Sequence, residues 1–477
     1  MSADTNREMP GISRRTFMNT TAAATAAMTI LPGKSFAESR KISANDKLNI
    51  AAIGAGGKGA SDITDAATEN IVAICDVDDD KYIDLFKHAR ENRPEAVPML
   101  EKAKRYKDFR IMLQENMKNI DAVIVSTPDH THAVAAMMAM KMKKHVWVQK
   151  PLTRTVYEAR MLAEEAARQG VITQMGNQGH ASEDARLINE WIWDGAIGNV
   201  REVHCWTNRP IWPQGIEAPT EIPSVPPSLD WNLWLGPAAW RPYHPALCHF
   251  VWRGWQDFGT GAIGDMGAHI MDHPYWALNL GHPTHVQASS TEMNRDSFPR
   301  AELITYHFPA RSGHPDAKKW GIDLKIELPP VKLTWYDGGI TAPRPLELED
   351  GRKLATGKSG ILFVGDKGIL MSGDYGSNPR LIPETKMKEF TNRPEKKIPR
   401  VTGHMAEWIE CIKANKKSGT DFSYAGPLTE AMLLGCVAVH CKEANAILEW
   451  DHVNMKFPNY PEADQYLSSV YRDGWSL

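Results

Sequence analysis

The chain has 477 residues, of which 42% are hydrophobic and 24% are charged, and its formal net charge is -3. This composition can bury a large core and predicts two domains of typical size. A slightly acidic balance gives no basis for nucleic acid as a partner.

The first 37 residues are typical of a targeting segment rather than of a folded domain. A twin-arginine pattern at 13–18 is followed by a mildly apolar run over 20–31 and by small residues at 35–37 that suit cleavage. The run is too short for a permanent anchor, which needs roughly 20 apolar residues. We therefore predict a twin-arginine signal peptide over 1–37, export to the periplasm or beyond the cell, and no stable membrane anchor.

From Leu48 onward, short apolar runs alternate with stretches of helical periodicity. This alternation is typical of a parallel sheet with crossover helices, and it predicts a Rossmann domain over 38–175. The expected strands are 48–53, 71–75, 121–126, 145–148 and 171–175, and two of the expected helices are 131–143 and 155–169.

The rest of the chain has a different character. After a helix expected over 182–194 come loops rich in tryptophan and proline, followed by strand-like segments. They predict a second α/β domain over 176–477 with a large open, mainly antiparallel sheet, which would bind substrate and mediate oligomerisation. By analogy, an open sheet face commonly joins copies of a chain, so we expect a homo-oligomer. The expected strands are 286–290, 303–308, 322–328, 331–335 and 361–364, and the later helices are 404–414 and 427–448.

A glycine-rich turn directly follows the first expected strand and opens the next helix. Gly54-Ala55-Gly56-Gly57-Lys58-Gly59 has the spacing of a dinucleotide-binding turn. Gly54 permits the tight turn, Gly56 lets the backbone approach a pyrophosphate, and Gly59 lets helix and strand pack closely. Gly57 belongs to the same turn, and the helix amino terminus offers free N–H groups to phosphates.

Asp76 ends the second expected strand, 22 residues after Gly54. A carboxylate at this place can accept hydrogen bonds from the adenosine ribose hydroxyls. No arginine is adjacent to receive a 2′-phosphate, so NAD is favoured over NADP as the cofactor.

Two further loops follow strands of the same sheet. One carries Thr127, Pro128 and His132, and the other carries Gln149 and Lys150. Ligands collect outside the carboxyl ends of the strands in open α/β sheets, so we expect both loops to face the glycine turn. A lysine held there can lie beside a substrate hydroxyl, whereas the alternative is a surface lysine before a helix-starting proline.

A second group of polar residues occurs between 259 and 273. If a helix begins near Gly264, Asp265, His269, Asp272 and His273 fall on one face of it. A histidine oriented by a carboxylate is a natural general base. The alternatives are a metal site and a capped helix with a core histidine; we favour the general base and expect no metal.

These motifs, in this order, resemble the Gfo/Idh/MocA oxidoreductases over nearly all of the chain that follows residue 37. The resemblance implies a Rossmann domain joined to an open-sheet α/β domain. It also implies that Lys150 and His269 lie at the reacting sugar hydroxyl and that Asp265 positions it. The family usually has a glutamate before the lysine, and Gln149 departs from this pattern. The departure removes a carboxylate near the nicotinamide.

The aromatic residues point to a sugar or glycoside as the small-molecule substrate. Eight of the sixteen tryptophans lie between 206 and 276, and flat rings can stack on the apolar faces of sugars. Most of these tryptophans are expected in the core or at a subunit interface. The expected substrate-binding residues are Asn177, His180, Arg209, Asp272 and His273, and Arg241, His244 and Arg253 are further candidates for binding hydroxyls.

The predicted reaction is hydride transfer from a sugar ring carbon to NAD, with His269 taking the hydroxyl proton. An exported enzyme has no NAD pool to draw on, so we expect a tightly bound cofactor that is recycled in place. A second sugar or carbonyl acceptor can take the hydride back. Alternatively, the enzyme is an NAD-dependent glycosidase that oxidises C3 transiently, eliminates the leaving group at C1 and reduces the ketone again. A third possibility is a sugar-binding protein without catalysis.

Overall fold

The computed structural model describes residue 43 and residues 46–355, 357–441 and 446–477. The described residues form two sheets with helices packed against them, which confirms the predicted fold class. The predicted signal peptide over 1–37 lies outside the described residues. The chain changes from one sheet to the other after residue 175, and the predicted domain boundaries stay predictions.

Six parallel strands form the first sheet. They are β1 (Asn49–Ile53), β2 (Asn70–Cys75), β3 (Lys104–Tyr106), β4 (Ala122–Val125), β5 (His145–Val148) and β6 (Thr173–Met175). Their order across the sheet is β3-β2-β1-β4-β5-β6, the doubly wound order of dinucleotide-binding folds. The helices of this half are α1 (Lys58–Ala66), α2 (Asp80–Asn92), α3 (Val97–Lys102), α4 (Phe109–Asn116), α5 (Asp129–Lys141) and α6 (Val156–Gln169).

Strand β1 shows why this sheet is covered on both faces. Ile50 belongs to the core that contains Ile63 of α1, whereas its neighbour Ala51 belongs to the core that contains Val134 of α5. Because successive side chains point to opposite faces of a strand, an unbroken apolar run needs helices on both sides. The sheet thereby presents only its strand ends to a ligand.

The second sheet has eight strands. They are β7 (Val200–Trp206), β8 (His285–Ser290), β9 (Glu302–Phe308), β10 (Val331–Tyr336), β11 (Gly360–Gly365), β12 (Ile369–Gly373), β13 (Arg380–Ile382) and β14 (Leu448–Glu449). Their order is β13-β12-β11-β7-β10-β9-β8-β14, and only the β7–β10 pairing is parallel. The accompanying helices are α7 (Glu183–Trp193), α8 (Trp231–Leu235), α9 (Gly261–Ile270), α10 (Asp272–Ala277), α11 (Pro315–Lys319), α12 (Glu384–Glu389), α13 (His404–Ala414) and α14 (Phe422–His440).

Two sequence-based elements are wrong. The segment expected as a strand over 322–328 bends at Lys325 and joins neither sheet: the N–H of Lys325 donates to the carbonyl of Trp193 at the end of α7, and Leu328 forms only an isolated bridge with Arg311. The helix expected over 427–448 begins earlier, at Phe422, after Asp421 caps it by accepting the N–H of Ser423. It ends at His440, and Leu448 lies in β14.

Helix α14 joins the two halves of the molecule. It packs along α6 and against β8 and β9. Arg160 of α6 donates from Nε to Glu430 Oε2 of α14 at 3.0 Å and from Nη2 to Oε1 at 2.9 Å. Among the helices that the structure describes, α14 alone has the length and apolar composition of a membrane span, and 78% of its most apolar window is buried inside the protein.

Helix α13 lies far along the chain but packs on the first sheet. Its Trp408 contacts Trp147 of β5, with ring centroids 6.0 Å apart. His404, the first residue of α13, has Nε2 2.7 Å from the carbonyl oxygen of Met175, and Gln174 Nε2 lies 3.0 Å from its Nδ1. The carboxyl end of β6 is therefore held by residues that come more than two hundred positions later.

Candidate active site

A cavity of about 570 Å³ lies at the carboxyl ends of β1 and β4. Strand order reverses between these two strands, and crevices at such switch points bind ligands in open α/β sheets. The segment between β7 and α9, which contains α8, lines the cavity from the other side. The predicted residues in its wall are Gly54, Gly56, Gly57, Asp76, Thr127, Pro128, Gln149 and Lys150, and the facing residues include Trp234, Phe250, Trp252 and Arg253.

The glycine turn has the backbone that its sequence predicts. Gly54 has φ +92°, and a Cβ there would lie 2.5 Å from the carbonyl oxygen of Ser126, so a larger residue is excluded. Gly57 has φ +55° and faces open space. A Cβ at Gly59 would lie 2.1 Å from the carbonyl oxygen of Gly54, so Gly59 serves the close packing of α1 and is absent from the wall of the described cavity.

Asp76 lies in the cavity wall with its carboxylate held by the backbone. Oδ2 accepts the N–H of Ala55 at 2.7 Å, and Oδ1 accepts the N–H of Asp78 at 3.0 Å. Burial raises the pKa of Asp76 to about 6. Each carboxylate oxygen has a second lone pair, so both can still accept hydroxyl hydrogens.

Lys150 and Asp265 form an ion pair between the two halves of the molecule. Lys150 Nζ lies 2.7 Å from Asp265 Oδ1 and 2.8 Å from the carbonyl oxygen of the same residue. Arg253 Nε donates to the same Oδ1 at 3.0 Å. Although burial alone would raise it, the charges of Lys150 and Arg253 hold the pKa of Asp265 well below its usual range. Asp265 therefore stays ionised and fixes both cations.

His269 lies one helical turn after Asp265 on α9 and is buried. Burial lowers the pKa of His269 well below its usual range, and the nearby charge of Lys150 lowers it further. Its ring lies 4.3 Å from the ring of Tyr375, and its Nδ1 has no hydrogen-bond partner among the described residues. A neutral imidazole with a free nitrogen can accept a proton. The structure thus places Lys150, Asp265 and His269 in one neighbourhood, with Lys150 in the cavity wall.

Two of the predicted substrate-binding residues pair with each other in the interior. His180 Nδ1 lies 3.1 Å from both carboxylate oxygens of Asp272, and the hydroxyl of Tyr424 donates to Asp272 Oδ1 at 2.6 Å. Although burial would raise it, His180 and Tyr424 keep the pKa of Asp272 below its usual value. His180 also stacks on Trp276 at a centroid distance of 4.1 Å. Neither His180 nor Asp272 belongs to the wall of the described cavity.

The other three predicted substrate-binding residues also lie away from the wall of the described cavity. Asn177 is fully buried, and neither atom of its amide has a hydrogen-bond partner in the part of the chain that the structure describes. His273 packs against Gly376, and burial lowers its pKa to about 4. The third residue, Arg209, interacts with Asp374: burial raises the pKa of that carboxyl, and the charge of Arg209 opposes the rise.

The four polar residues between 265 and 273 do not lie on one continuous helix. Helix α9 ends at Ile270 and α10 begins at Asp272, so the predicted single face is interrupted. Asp265 pairs with Lys150, whereas Asp272 pairs with His180. Within the described residues, no group of three or more His, Cys, Asp or Glu side chains is arranged to hold a metal ion.

His132 connects the two loops that were predicted to share the crevice. Its Nδ1 lies 2.9 Å from the carbonyl oxygen of Pro151, and its Nε2 lies 2.8 Å from that of Thr127. The ring is buried and does not belong to the wall of the described cavity. His132 therefore holds the backbone of the loops that carry Thr127 and Lys150.

Sequence reasoning missed several residues of the site. Asp129 is buried in the cavity wall, where its Oδ2 accepts the hydroxyl of Thr260 at 2.8 Å and burial raises its pKa to about 7. Its position directly after Thr127-Pro128 was the available signal. Arg253 was named only as one of several candidates for binding substrate hydroxyls, and its contact with Asp265 was not predicted. Tyr375 has a positive φ of 55° in a turn that no sequence motif marks.

Two family models match the chain. The model of an oxidoreductase family's NAD-binding Rossmann fold matches residues 48–177, and the model of its C-terminal alpha/beta domain matches residues 200–311. Both describe the Gfo/Idh/MocA oxidoreductases, and together they cover about half of the chain. The first match contains the glycine turn and Lys150, and the second contains Asp265 and His269.

The chain is similar to curated proteins over part of its length. It is 29% identical over 121 residues to a myo-inositol 2-dehydrogenase from Thermotoga maritima, which is 25% of this chain and 36% of that protein. It is 28% identical over 160 residues to a glycosyl hydrolase family 109 protein from a Shewanella species, which is 32% of this chain and 34% of that protein. The chain thus matches about a third of the length of these relatives.

Among solved structures, the chain resembles the WlbA dehydrogenase from Bordetella pertussis in complex with NADH and UDP-GlcNAcA. The TM-score is 0.53 at 15% identity, with 85% of this chain and 99% of the other covered. At this identity the likeness concerns the fold alone.

Proposed function

The chain belongs to the Gfo/Idh/MocA family of oxidoreductases, and from this premise we propose that it is an NAD-dependent enzyme that oxidises a ring hydroxyl of a sugar or glycoside. The observation that carries the proposal is that Lys150 lines the same cavity as the glycine turn while its ammonium is paired with the buried carboxylate of Asp265, which does not itself line the cavity. An ammonium held by a buried carboxylate beside a dinucleotide site is suited to binding and polarising a hydroxyl group.

The residues of the cavity fit NAD. Gly54 and Gly56 would let the backbone approach the pyrophosphate, and the ionised carboxylate of Asp76 would accept the ribose hydroxyls. When bound, the nicotinamide would supply the hydride acceptor and donor of the reaction. The described wall has no arginine next to Asp76 for a 2′-phosphate, which favours NAD over NADP.

Each of the three polar groups would have a distinct task. Lys150 would donate a hydrogen bond to the reacting hydroxyl, and Asp265 would keep the ammonium in place. His269 is held neutral by burial and would accept the hydroxyl proton. The relatives support a sugar or glycoside as the substrate, since one is named a myo-inositol dehydrogenase and another a glycosyl hydrolase.

We also propose that the cofactor is retained and recycled in place. The loop before α8 is fastened to the loop after β2: the N–H of Asp79 donates to the carbonyl of Ser228 at 3.1 Å, and the N–H of Asp230 donates to that of Val77 at 2.8 Å. His249 Nε2 also lies 2.8 Å from Asp78 Oδ2. These contacts close the cavity on the side of Asp76 and support slow release of a dinucleotide.

Export by the twin-arginine pathway is part of the same proposal. Its support is the twin-arginine pattern, apolar run and small-residue site over residues 13–37. That route carries proteins that are already folded. A retained cofactor would then be loaded before export. Fractionation of cells that produce the full chain tests this, and recovery only in the cytoplasm would contradict it.

A second candidate function is redox-neutral cleavage of a glycoside. The observation that favours it is the similarity to a glycosyl hydrolase family 109 protein. Both functions use the same lysine and histidine, so they differ only in the fate of the substrate. Release of nitrophenol from a nitrophenyl glycoside without net formation of NADH would select the glycosidase.

The main test starts from the protein as purified. The protein is denatured, the released nucleotide is identified, and a panel of sugars and glycosides is screened for ketone formation and for aglycone release. We expect bound NAD and one of the two activities. NAD-free protein that does not bind added NAD would refute the proposal, whereas bound NAD without any turnover would favour a sugar-binding protein without catalysis.

We further propose a homo-oligomer that forms through the outer face of the larger sheet. Glu202, His307 and Lys332 lie in register on neighbouring strands there, and Lys332 is 46% exposed. An exposed sheet face of mixed charge is suited to a self-complementary interface. Light scattering during size-exclusion chromatography gives the mass, and a monomer at micromolar concentration would contradict this.

A further inference from the structure

The glutamine before the active-site lysine faces a buried carboxylate from a different element. Gln149 Nε2 donates to Asp62 Oδ2 at 2.8 Å, and both side chains are buried. Asp62 belongs to α1, the helix that begins at the glycine turn. The carboxylate that Gln149 lacks is therefore present next to it, supplied from 87 positions earlier in the chain.

Asp62 accepts hydrogen bonds from three different elements of the site. Besides Gln149, the hydroxyl of Ser126 donates to Oδ2 at 2.7 Å, and Lys58 Nζ donates to Oδ1 at 2.6 Å. Ser126 follows β4, and its carbonyl is the atom that leaves no room for a Cβ at Gly54. One buried carboxylate thus connects the start of α1 with the carboxyl ends of β4 and β5.

The amide of Gln149 also shapes the backbone on its other side. Its Oε1 accepts the N–H of Lys150 at 3.3 Å, and its amide fills the space where Gly176 has no side chain. A glutamate in this place would put a second carboxylate against Asp62 Oδ2. Two buried carboxylates in contact cannot both stay ionised without a large cost, so an amide at position 149 and a carboxylate at position 62 are complementary.

We propose that Asp62 is a positioning residue of the active site and that Asp62 and Gln149 act as one carboxylate–amide pair. The pair holds the loop of Lys150 at a fixed distance from the glycine turn, so that both can contact one dinucleotide. This inference rests on the proposed binding of NAD. It assigns to α1 the carboxylate that the family usually carries directly before the lysine.

Exchange of the two groups gives a direct test. The variants are Asp62→Asn, Gln149→Glu and the double variant, and Asp65→Asn serves as a control because Asp65 lies exposed on the same helix. A second control is Ile63→Val, which weakens the buried packing of α1 without a change of polar groups. NAD affinity is titrated with each NAD-free protein at pH 6, 7 and 8, and Tm is measured without NAD at the same pH values.

Asp62→Asn should weaken NAD binding about tenfold or more at every pH, because three donors lose a charged acceptor. Whichever way the new amide turns, its N–H groups meet either Lys58 or the pair Ser126 and Gln149. Relative to the wild-type protein at the same pH, Gln149→Glu should lose less NAD affinity at pH 6 than at pH 8, since the shared site can hold a proton only at the lower pH. The Tm of Gln149→Glu should fall as the pH rises from 6 to 8.

The double variant should recover most of the affinity and the pH profile of the wild-type protein, because it contains one carboxylate and one amide again. The Ile63→Val control should lower Tm but leave NAD affinity unchanged, which separates positioning from general destabilisation. Asp62→Asn with wild-type affinity, or a double variant no better than the worse single one, would overturn the inference. If the wild-type protein does not bind NAD, the proposed function fails, and the Tm values still report whether the pair exists.

Discussion

Lys150 Nζ lies 2.7 Å from Asp265 Oδ1 although the two residues are 115 positions apart in the chain. The first follows β5 of the parallel sheet, and the second lies on α9 beside the larger sheet. Their side chains are 14% and 12% exposed, and of the two only Lys150 belongs to the wall of the described cavity. Under the proposed function, a substrate hydroxyl beside Lys150 would meet an ammonium whose position is already fixed.

Lys150→Met should reduce kcat by at least about a hundredfold, which is the usual contribution of a positioned proton-transfer or hydrogen-bonding group. The protein should still fold and bind NAD, because Arg253 remains to neutralise Asp265. Steady-state turnover and NAD titration check the two statements separately. Lys87→Met replaces an exposed lysine on α2 and should leave both unchanged. Full activity of Lys150→Met would remove Lys150 from the site.

Asp265→Asn should lower the free energy of unfolding by about 3 kcal/mol, since it leaves two partly buried cations, 14% and 22% exposed, without their shared buried counter-ion. Lys150 and Arg253 both approach the same carboxylate oxygen. Urea denaturation measures the loss. Asp257→Asn is a matched control, because Asp257 is 44% exposed and its ion pair with Arg241 should contribute less than about 1 kcal/mol. Equal losses in the two variants would show that Asp265 is not a buried counter-ion.

NAD affinity should fall in acid because of Asp76. Burial raises the pKa of this carboxyl to about 6, and only the ionised form accepts two ribose hydroxyls. The dissociation constant should therefore be constant above about pH 7 and rise by up to about tenfold per pH unit below about pH 5, as protonation of one group requires. Isothermal titration between pH 4 and 8 measures this. Asp76→Asn should bind NAD weakly, with a dissociation constant that does not change with pH. If the variant keeps the pH dependence of the wild-type protein, another group causes it.

Protein stability should also fall in acid, partly because of His404. Its Nε2 donates to the carbonyl of Met175 and its Nδ1 accepts from Gln174, so a second proton on the ring would face a donor. Burial lowers its pKa to about 3, far below the value of an unfolded histidine. The unfolded chain therefore binds one proton more than the folded chain below about pH 6.5, and stability is lost as the pH falls.

The measurement is the free energy of unfolding as a function of pH. Between about pH 6 and 4, His404 should contribute a slope of up to about 1.4 kcal/mol per pH unit. His404→Gln should be less stable at pH 7 but should show a slope that is shallower by up to this amount. An identical slope in the variant would mean that His404 is already protonated in the folded protein.

Local sequence patterns determined most of the helices and strands of the parallel sheet and some of those later in the chain. The strand predicted over 145–148 and the helix predicted over 404–414 have the same bounds in the structure. Gly54, Gly56, Gly57 and Asp76 line one cavity, whereas their predicted role in binding the cofactor stays a prediction. These features depend on neighbours in sequence: apolar periodicity selects a strand or a helix, and a residue without Cβ is required wherever φ is positive or the backbone is close.

The tertiary structure alone decided which side chains meet. Gln149 looked like the loss of a carboxylate, yet the fold places Asp62 against it. Asp272, a predicted substrate-binding residue, pairs with His180 in the interior. The predicted roles of the substrate-binding residues and of Lys150, Asp265 and His269 stay predictions. Such contacts join residues many positions apart, and their geometry follows from how two sheets and their helices pack. No local pattern in the sequence encodes that packing.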